Sequence, residues 1–595
     1  MGRGPVVIIG AGPAGLTAAY VLSKAGMQSI VLEKDQMVGG LARTVNYKGY
    51  YFDTGGHRFF TKVESVENIW KEVLGEDLLH CNRISRIYYD KKFFYYPLRP
   101  LNALLGLGLW NSILVLFSYL RSQLFPSKEE ETLEQWVSNR FGNRLFKIFF
   151  KTYTEKVWGI SCNEIKAEWA AQRIKGLSLM TALKEAILKD QNRHKDKKEL
   201  VKTLIDEFDY PKFGPGMMWQ RLVEIIHRTG SQVYLGNEVE GIRWSGNKVE
   251  ALEVKRNGQV VIISGSDFIS SMPIREVLQK FKPQVPKEVL TAANDLKYRD
   301  FLTVALIIKK PQLFPDTWIY VHDPDVKVGR IQNFKNWSPF MVPDPGQTCL
   351  GLEYFCYEGD ELWNMTDDEL IELGKRELEI LDLANKNDVQ EGTVVRMSKA
   401  YPIYDLTYRK SLEVVRQFLK QFDNLQMVGR NGMHKYNNQD HSMLTAMLSA
   451  ENILGANHDL WAINVEQEYH EEMALEPGEE AALDKLLPAV FSRMDQLGLA
   501  TAIGSVCGLL IFLSTIWLMS KDGVTTHYLQ LLNQYFFGYT VSIKGAFVGM
   551  AYGFSWGFLF GWIFAYLRNF FMAYYIYRIK RKAELLTFRD FLDHY

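Results

Sequence analysis

The sequence predicts an α/β fold in which a doubly wound parallel sheet is interleaved with an α+β domain and followed by a C-terminal hairpin of two apolar helices. The sheet is indicated by Val6 to Ile9, a short apolar run that leads directly into a glycine-rich turn and an apolar helix. The hairpin is indicated by two uncharged runs, 497–519 and 545–566, each long enough to cross a hydrocarbon core about 30 Å thick.

The composition is that of a globular chain with several domains. Its 595 residues exceed the usual size of one domain. Lys and Arg together number 69, as do Asp and Glu, so the formal net charge is zero and nucleic acid is not an expected partner. The five cysteines are odd in number and contain no C-x-x-C pair, so we expect neither a disulfide framework nor a metal site.

The first strand, turn and helix have the pattern of a Rossmann-type dinucleotide site. The turn at 10–15 reads GAGPAG, and its glycines allow a close approach of the backbone to a pyrophosphate and of the helix to the strand. The N–H groups at the start of the helix, 16–24, then face the phosphates. A second strand, 29–32, ends at a carboxylate placed to bind a ribose hydroxyl. The residues predicted to bind here are Gly10, Gly12, Ala14, Gly15, Glu33 and Lys34.

Two further glycine segments and the late part of the chain resemble FAD enzymes of the amine oxidase and protoporphyrinogen oxidase group. The glycine segments are GGLART at 39–44 and FDTGGH at 52–57, and the late part is a strand at 424–430 with a helix at 438–447. The resemblance implies FAD as the cofactor, with the flavin ring beside His57. The further cofactor-binding residues that it implies are Gly40, Leu41, Ala42, Arg43, Gly55, Gly56, His57, Val239, Gly429, Arg430, Asn438, Gln439 and Ser442.

Two other segments resemble UDP-galactopyranose mutases. They are YTEKVWG at 153–159 and GRNGMHKYNNQD at 429–440. In those mutases arginines clamp the diphosphate of the sugar nucleotide and tyrosines share its oxygens. Leu177 stands where the bacterial mutases have a further arginine, and His434 and Gln439 also depart from the mutase pattern. Together the two resemblances imply a catalytic set of His57, Arg173, Arg330, Tyr354 and Tyr401.

Several of these residues also have a structural interpretation. Arg173 and Arg330 could form ion pairs between a helix and a sheet, and His57 could be a structural histidine in a glycine turn. Trp158 and the tyrosine-rich strand at 88–97 are interpreted either as core or as a platform for substrate.

The order of the motifs predicts a discontinuous organisation. A FAD-binding domain would be assembled from three segments, with a substrate domain inserted between them and a membrane anchor at the end. The predicted segments are 1–96, 210–289 and 421–474 for the FAD-binding domain, 97–209 and 290–420 for the substrate domain, 475–496 for a linker helix, 497–570 for the anchor and 571–595 for a basic tail.

The flanking charges predict how the hairpin would lie in a membrane. By the positive-inside rule the basic tail is cytoplasmic, and two crossings then place the catalytic body in the cytoplasm as well. A third apolar stretch, 101–120, is interpreted as a helix pair against the cytoplasmic leaflet or as an ordinary core helix. No signal peptide is expected, because the N-terminus runs straight into the first strand.

These observations lead to three hypotheses for function. The preferred one is a membrane-anchored FAD-dependent oxidoreductase that acts on an amphiphilic or lipid-linked substrate, which the anchor, the apolar stretch and the missing arginine favour. The second is a mutase-like flavoenzyme that rearranges a sugar nucleotide or a polyprenyl-diphosphate sugar without net redox change. The third is a non-catalytic FAD-binding protein that serves in membrane assembly. The bilayer is the expected partner, and a homo-oligomer is also considered.

Overall fold

The computed structural model describes residues 4–96, 100–127, 130–167, 207–463, 494–519 and 531–592. The chain divides into two compact units, Met1–Met473 and Ala474–Tyr595. Unit 1 contains the sheets, and the described part of unit 2 is helical. Most of the predicted linker helix lies outside the described residues.

The elements of secondary structure are numbered along the chain. The strands are β1 (Val6–Ile9), β2 (Ser29–Leu32), β3 (Thr44–Tyr47), β4 (Tyr50–Asp53), β5 (Leu78–Asn82), β6 (Ser85–Tyr89), β7 (Lys92–Tyr95), β8 (Glu207–Pro211), β9 (Gln232–Tyr234), β10 (Asn237–Ser245), β11 (Lys248–Arg256), β12 (Gln259–Ser264), β13 (Asp267–Ser270), β14 (Phe281–Lys282), β15 (Tyr298–Ile308), β16 (Trp318–Val321), β17 (Arg330–Asn333), β18 (Thr348–Cys356), β19 (Val389–Pro402) and β20 (Leu425–Met427). The α-helices are α1 (Pro13–Lys24), α2 (Glu64–Leu74), α3 (Pro100–Leu107), α4 (Leu109–Leu124), α5 (Leu133–Phe141), α6 (Asn143–Phe146), α7 (Thr152–Trp158), α8 (Gly216–Arg228), α9 (Ile274–Gln279), α10 (Lys287–Asp295), α11 (Phe334–Trp337), α12 (Glu361–Asn364), α13 (Asp367–Ile380), α14 (Tyr408–Leu419), α15 (Gly429–Gly432), α16 (Gln439–Ile453), α17 (Gln496–Met519) and α18 (Ile543–Leu592).

One sheet of unit 1 is parallel and has five strands, in the order β20-β13-β1-β2-β9. In the register, Val6 of β1 lies opposite Ser29 of β2 on one side and Asp267 of β13 on the other. Strand β1 is buried along its whole length, as an apolar central strand of a parallel sheet must be. Helix α1 packs against α8 and α16. The predicted α/β fold with a parallel sheet is therefore confirmed.

A second sheet of unit 1 has seven strands, in the order β19-β15-β18-β17-β16-β6-β7. Neighbouring strands are antiparallel except β16 and β6, which are parallel. Strands β15 and β18 are buried throughout. The helices from α3 to α7 pack beside this sheet in one apolar cluster, to which Ile87 of β6 and Phe94 of β7 belong. Strands β6 and β7 thus join the second sheet although they precede residue 96.

The apolar stretch 101–120 forms two helices, α3 and α4, which separate at Gly108. This glycine has φ +80°, a backbone conformation that ends α3 and lets the chain turn. On α4 the residues Ser112, Val115 and Tyr119 recur at helical spacing and are buried.

Two helices in the described part of unit 2, α17 and α18, are long and apolar enough to cross a membrane. They pack antiparallel, with Gly504 against Gly557 and Ala500 against Gly561. A Cβ atom added at Gly557 would lie 2.9 Å from the Cα of Gly504, so the backbones touch without intervening side chains. Near one end of this contact the hydroxyls of Thr515 and Tyr539 lie 2.8 Å apart, in hydrogen-bond contact. The outward-facing surface of both helices is apolar and exposed.

Candidate active site

A cavity of about 1170 Å³ gathers residues from almost the whole length of unit 1. This exceeds the roughly 300–1,000 Å³ of pockets that hold one drug-sized ligand. One group of lining residues, termed the dinucleotide wall, comes from the segments that follow β1, β2, β4 and β20, from β10 and from the start of α16: Gly10, Gly12, Pro13, Ala14, Glu33, Lys34, Asp35, Gly40, Leu41, Ala42, Arg43, Gly56, His57, Val239, Gly429, Arg430, Asn438, Gln439 and Ser442. A second group, termed the aromatic wall, consists of Arg58, Arg83, Ile87, Tyr96, Phe141, Phe149, Phe150, Tyr153, Val157, Trp158, Trp318, Tyr320, His322, Arg330, Phe355, Tyr401 and Tyr436.

The glycine turn after β1 brings helix α1 close to the end of the strand. Gly10 has φ +99°, which favours glycine. A Cβ atom at Gly15 would lie 1.9 Å from the carbonyl oxygen of Gly10, so no side chain fits there. At Gly12 an added Cβ atom would meet protein atoms only at 3.7 Å, an ordinary contact distance. Glycine is thus required at positions 10 and 15 by the protein's own backbone conformation and packing, whereas at position 12 it is not.

Glu33 follows β2 and lines the cavity beside this turn. One carboxylate oxygen accepts a hydrogen bond of 2.7 Å from the backbone N–H of Ala11, and the other accepts one of 3.0 Å from that of Asp35. These donors fix the carboxylate, and each oxygen keeps a further lone pair for a ligand hydroxyl. Asp35 in turn accepts a bond of 2.6 Å from Arg43, which also donates to the carbonyl oxygen of Gly40.

Two helix N-termini, those of α1 and α16, line the same cavity. Their N-cap residues, Gly12 and Asn438, make no side-chain capping bond to the first turn. The N–H groups of each first turn are therefore left for water or a ligand, and both helix dipoles place partial positive charge there. An anion such as a diphosphate is favoured at such a position.

Several buried polar atoms of the cavity lack a hydrogen-bond partner in the part of the chain that the structure describes, among them Nε2 of His57, Oδ1 of Asn437 and Oε1 of Gln439. The amide nitrogen of Gln439 donates to the carbonyl oxygen of His57 at 3.3 Å. Burial lowers the pKa of His57 to about 3, and the charges of Arg430 and Arg330 add to this. Its imidazole is therefore neutral at physiological pH. Unpartnered buried atoms are rare in folded proteins, so they indicate where a ligand would bind.

Arg330 lies on β17 directly opposite Glu353 of β18. Its guanidinium donates to the Glu353 carboxylate through Nε at 2.9 Å and also through Nη2, and Gln332 donates to the other carboxylate oxygen. Burial opposes the charge of Arg330, but the Glu353 carboxylate together with Tyr153 and Tyr401 outweighs it and holds the pKa of Arg330 well above its usual value. Nη2 also reaches the hydroxyl of Tyr401 at 3.4 Å. Arg330 is thus both ion-paired and part of the cavity lining.

A cluster of aromatic rings lines the cavity near Arg430 of the dinucleotide wall. The rings of Tyr401 and Tyr436 are stacked with centroids 5.6 Å apart, and Trp158 meets both at 6.2 Å. The guanidinium of Arg430 lies 4.6 Å from the Tyr436 ring. Trp158 therefore faces the cavity, whereas Tyr88 of the tyrosine-rich strand is buried in the core of the second sheet.

Four further polar residues of the aromatic wall were not predicted from the sequence. Arg58 lies 6.0 Å from the ring of Trp318, and its buried Nη1 has no partner among the described residues. Arg83 lies 5.3 Å from the same ring. His322 and Tyr153 stack with centroids 4.8 Å apart. Arginine positions in loops carry no periodic signal, so only the fold brings these groups together.

A hydrogen-bonded carboxylate supports the loop that leads to His57. Asp53 is fully buried and accepts bonds from Thr44 at 2.6 Å and from Tyr210 at 2.5 Å. Burial raises the pKa of Asp53 to about 7, although both donors act in the opposite direction.

Family comparison identifies the kind of protein to which this cavity belongs. A model of the family described as flavin containing amine oxidoreductase matches residues 13–437. The chain belongs to this family. FAD is its cofactor, as the resemblance seen in the sequence implies.

Individual relatives in the flavin amine oxidoreductase family match shorter parts of the chain. The L-amino-acid oxidase of Crotalus adamanteus is 49% identical over 67 residues, which are 11% of this chain and 13% of that protein. The 15-cis-phytoene desaturase of an Oncidium hybrid cultivar is 25% identical over 305 residues, 48% of this chain and 49% of the desaturase. The chain thus spans half or less of the length of these relatives.

Solved structures are similar in fold to this family member over a longer range. Reduced UDP-galactopyranose mutase aligns with 79% of this chain and 100% of its own, at a TM-score of 0.67 and 21% identity. A putative protoporphyrinogen oxidase from Exiguobacterium sp. 255-15 aligns with 76% and 99%, at a TM-score of 0.58 and 17% identity. At these identities the likeness shows the fold alone.

The dinucleotide wall fits FAD. The uncapped N-terminus of α1 suits the diphosphate, the anchored Glu33 suits a ribose, and the unpartnered atoms beside His57 and Gln439 suit the polar edge of a ring. The remaining predicted cofactor residues of the wall surround these groups. Gly15 and Gly55 are buried behind the lining.

One member of the predicted catalytic set lies elsewhere, and another is not among the described residues. Tyr354 follows Glu353 on β18 and therefore points to the opposite face of the strand, where it is fully buried in the core of the second sheet. Arg173 lies outside the described residues. His57, Arg330 and Tyr401 are brought together in the cavity.

Proposed function

We propose that this chain is a membrane-anchored FAD-dependent oxidoreductase whose substrate is amphiphilic or lipid-linked, with an anionic head group. The observation that carries the proposal is the composition of the aromatic wall. Arg58, Arg83 and Arg330 lie there among aromatic and aliphatic side chains, and a buried nitrogen of Arg58 has no partner within the described residues. Such a surface is matched by a molecule that has both an apolar body and an anion.

The names of relatives support an apolar substrate. One relative is a desaturase of 15-cis-phytoene. The rings of the aromatic wall offer a surface to the apolar part of a ligand. The ring centroid of Tyr320 lies 4.6 Å from that of Tyr96 and 5.4 Å from that of Tyr153. Aromatic side chains bury large apolar areas and exclude water.

The protein's own groups have separable roles in the proposed reaction. When bound, FAD supplies the acceptor for a hydride from the substrate. Arg58 and Arg83 orient the anionic head, and the rings of the aromatic wall exclude water from the reacting carbon. The neutral imidazole of His57 has its Nε2 lone pair or proton directed to no protein group in the described residues, so it is able to bond to substrate or exchange a proton with it.

The helices α17 and α18 support attachment to a membrane. Their small residues face each other and their large apolar residues face outward, as is expected of a helix pair in lipid. With the basic tail on the cytoplasmic side, unit 1 would also be cytoplasmic. Accessibility of an added N-terminal tag to protease in sealed vesicles tests this orientation; a protected tag would contradict it.

Spectral titration tests the proposed substrate class. The detergent-purified chain with bound FAD is titrated with farnesyl phosphate, farnesol and UDP-galactose. We expect farnesyl phosphate to perturb the oxidised flavin spectrum at the lowest concentration, because it offers both an apolar body and an anion. If UDP-galactose alone perturbs the spectrum, the proposal is wrong.

Two variants test whether Arg58 binds the anionic head group. Arg58→Gln is expected to weaken farnesyl phosphate binding about tenfold, the loss of one charge-assisted bond, and to leave farnesol binding unchanged. Arg228→Gln on the exposed face of α8 is the matched control, since Arg228 is 77% exposed. Equal behaviour of the two variants would remove Arg58 from the head-group site.

A mutase-like reaction is the second candidate, favoured by the position of Arg330 beside Tyr401 and by the fold shared with UDP-galactopyranose mutase. The chain is reduced under anaerobic conditions and incubated with UDP-galactofuranose. Formation of the pyranose, while the flavin stays reduced, would establish this reaction in place of the oxidoreductase. If the chain binds FAD but none of these compounds changes the flavin spectrum, the hypothesis of a non-catalytic assembly protein would be favoured.

A further inference from the structure

The helix pair α3–α4 presents an unusually apolar surface. Trp110 is 72% exposed and Phe117 is 67% exposed. The exposed apolar residues, termed the outer face, are Leu105, Trp110, Phe117, Leu120, Leu124 and Phe125. Exposed apolar patches of this kind mark surfaces that bind a partner or a membrane.

The outer face is not needed for the core of unit 1. The opposite side of α4 packs on α5 and α6 through Val115 and Tyr119, which are buried. Helix α4 is therefore apolar on two sides, and only one is used within the described structure. A helix of this type suits the boundary between head groups and acyl chains of a bilayer.

A second, smaller cavity of about 240 Å³ lies beside this helix pair. Its charged lining consists of three cations, Lys92, Arg144 and Lys147, and one carboxylate, Asp90. Lys92 donates to the carbonyl oxygen of Gly106 in α3 at 3.0 Å. Arg144 donates through Nη2 to Asn111 of α4 at 2.6 Å, while its buried Nε has no partner in the described residues. The cavity is thus cationic, attached to both helices and provided with a free donor.

The helix pair is separated from the main cavity by one layer of rings. Phe94 lines the small cavity and Phe149 lines the main one, and their ring centroids lie 5.0 Å apart. A group bound in the small cavity would therefore lie close to the aromatic wall.

We propose that α3–α4 docks on an anionic phospholipid bilayer, with the outer face at the level of the acyl chains and a lipid phosphate in the small cationic cavity. Charge complementarity identifies the occupant, because an apolar face bordered by Lys92, Arg144 and Lys147 matches apolar chains below an anionic head group. The inference deepens the proposed function and rests on its membrane attachment, since it adds a second bilayer contact within the catalytic unit.

Site-directed fluorescence on the full-length holoenzyme tests the inference. Phe117→Cys is labelled with an environment-sensitive fluorophore in a Cys507→Ala background, and the chain is placed in nanodiscs of phosphatidylcholine with or without phosphatidylglycerol. Ile262→Cys is the matched control, because Ile262 is an exposed apolar residue of β12 in the same unit. We expect a blue shift and strong quenching by lipid-borne quenchers at position 117, in anionic nanodiscs only.

Charge variants test the phosphate site. Arg144→Gln and Lys147→Gln are each expected to weaken docking about fivefold, and Arg228→Gln to leave it unchanged. Equal quenching at positions 117 and 262, or equal quenching in neutral and anionic nanodiscs, would overturn the inference. Weaker docking in millimolar inorganic phosphate would support the inference, because free phosphate would displace the lipid phosphate from the cavity.

Failure of the anchor is recognised separately. A label at Cys507 in α17 reports whether unit 2 has entered the nanodisc. If it has not, the proposed anchoring is wrong, and the position 117 label is then measured with vesicles of the same two compositions. Quenching by the anionic vesicles would still support docking, and its absence would overturn it.

Discussion

The two walls of the main cavity are built in different ways. The dinucleotide wall uses backbone groups: a glycine turn, two uncapped helix N-termini and N–H donors that hold Glu33. The aromatic wall uses side chains that come from distant parts of the chain, such as Arg58 and Tyr320. Backbone geometry of this kind is set by short local patterns, whereas the side chains of the aromatic wall come together only in the folded chain. The first wall is therefore typical of the cofactor site, and we expect the second to determine the substrate.

The largest effect is expected from Gly15→Ala, in the helix turn directly behind the dinucleotide wall. The new Cβ atom would lie 1.9 Å from the carbonyl oxygen of Gly10, so α1 must move away from β1. We expect a loss of stability of about 5 kcal/mol or more and loss of FAD. Flavin absorbance per chain and thermal unfolding measure both.

Two glycine controls sharpen this comparison. Gly4→Ala has its nearest contact at 3.5 Å and should behave as the wild type. Gly12→Ala also fits the protein, with a nearest contact at 3.7 Å, and should fold normally yet bind FAD more weakly. Wild-type flavin content in both Gly12→Ala and Gly15→Ala would contradict a backbone-built cofactor site.

The next effect concerns Arg330 in the aromatic wall. Arg330→Met leaves the carboxylate of Glu353, which has no exposed surface, without its cation, and should cost about 3–5 kcal/mol of unfolding free energy. The double variant Arg330→Met/Glu353→Gln should recover most of that stability. If Arg330 also binds substrate, the double variant should still bind farnesyl phosphate weakly; normal binding would show that Arg330 is only structural.

A smaller effect, on the pH dependence of stability, is expected from Asp53, which supports the loop that leads to His57. The pKa of Asp53 is raised to about 7 in the folded chain, so between its ordinary value near 4 and pH 7 the folded state holds a proton that the unfolded state has lost. Stability is thus highest below this window and falls as pH rises through it, by at most about 1.4 kcal/mol per pH unit. Asp53→Asn should remove this component, which thermal unfolding from pH 4 to 8 would reveal. Identical slopes in variant and wild type would contradict a raised pKa.

The smallest effect is expected at His57. Because its pKa is lowered to about 3, the imidazole stays neutral from pH 5 to 9. The flavin spectrum should therefore show no inflection near pH 6.5 that His57→Gln abolishes. Such an inflection would show that His57 titrates in the normal range and that its environment is more polar than its burial implies.

The sequence predicted what local patterns encode. The turn at 10–15, the central strand β1 and the uncharged helices of unit 2 each have a short, regular signature, and all are present. Arg83 and Trp318 meet because β6 and β16 pair in parallel, with Trp318 opposite Ser85, although they are far apart in sequence. No local pattern indicates that pairing.

Tyr354 shows how sensitive a strand residue is to position. Its neighbour Glu353 pairs with Arg330, which lines the cavity, whereas Tyr354 lies in the core. Successive side chains of a strand point to opposite faces, so an error of one residue exchanges a site residue for a core residue. A resemblance based on short motifs does not fix alignment to one residue in a strand between them.

The order of strands in the parallel sheet has a consequence for biosynthesis. Strand β1 is made first, but one of its neighbours, β13, begins at residue 267, and β20 completes that side only at residue 425. Pairings between such distant segments form slowly. During translation the nascent chain must therefore keep the apolar edge of β1 from aggregating until most of unit 1 has left the ribosome. Acquisition of FAD, whose site needs both early and late segments, would mark the moment at which that wait ends.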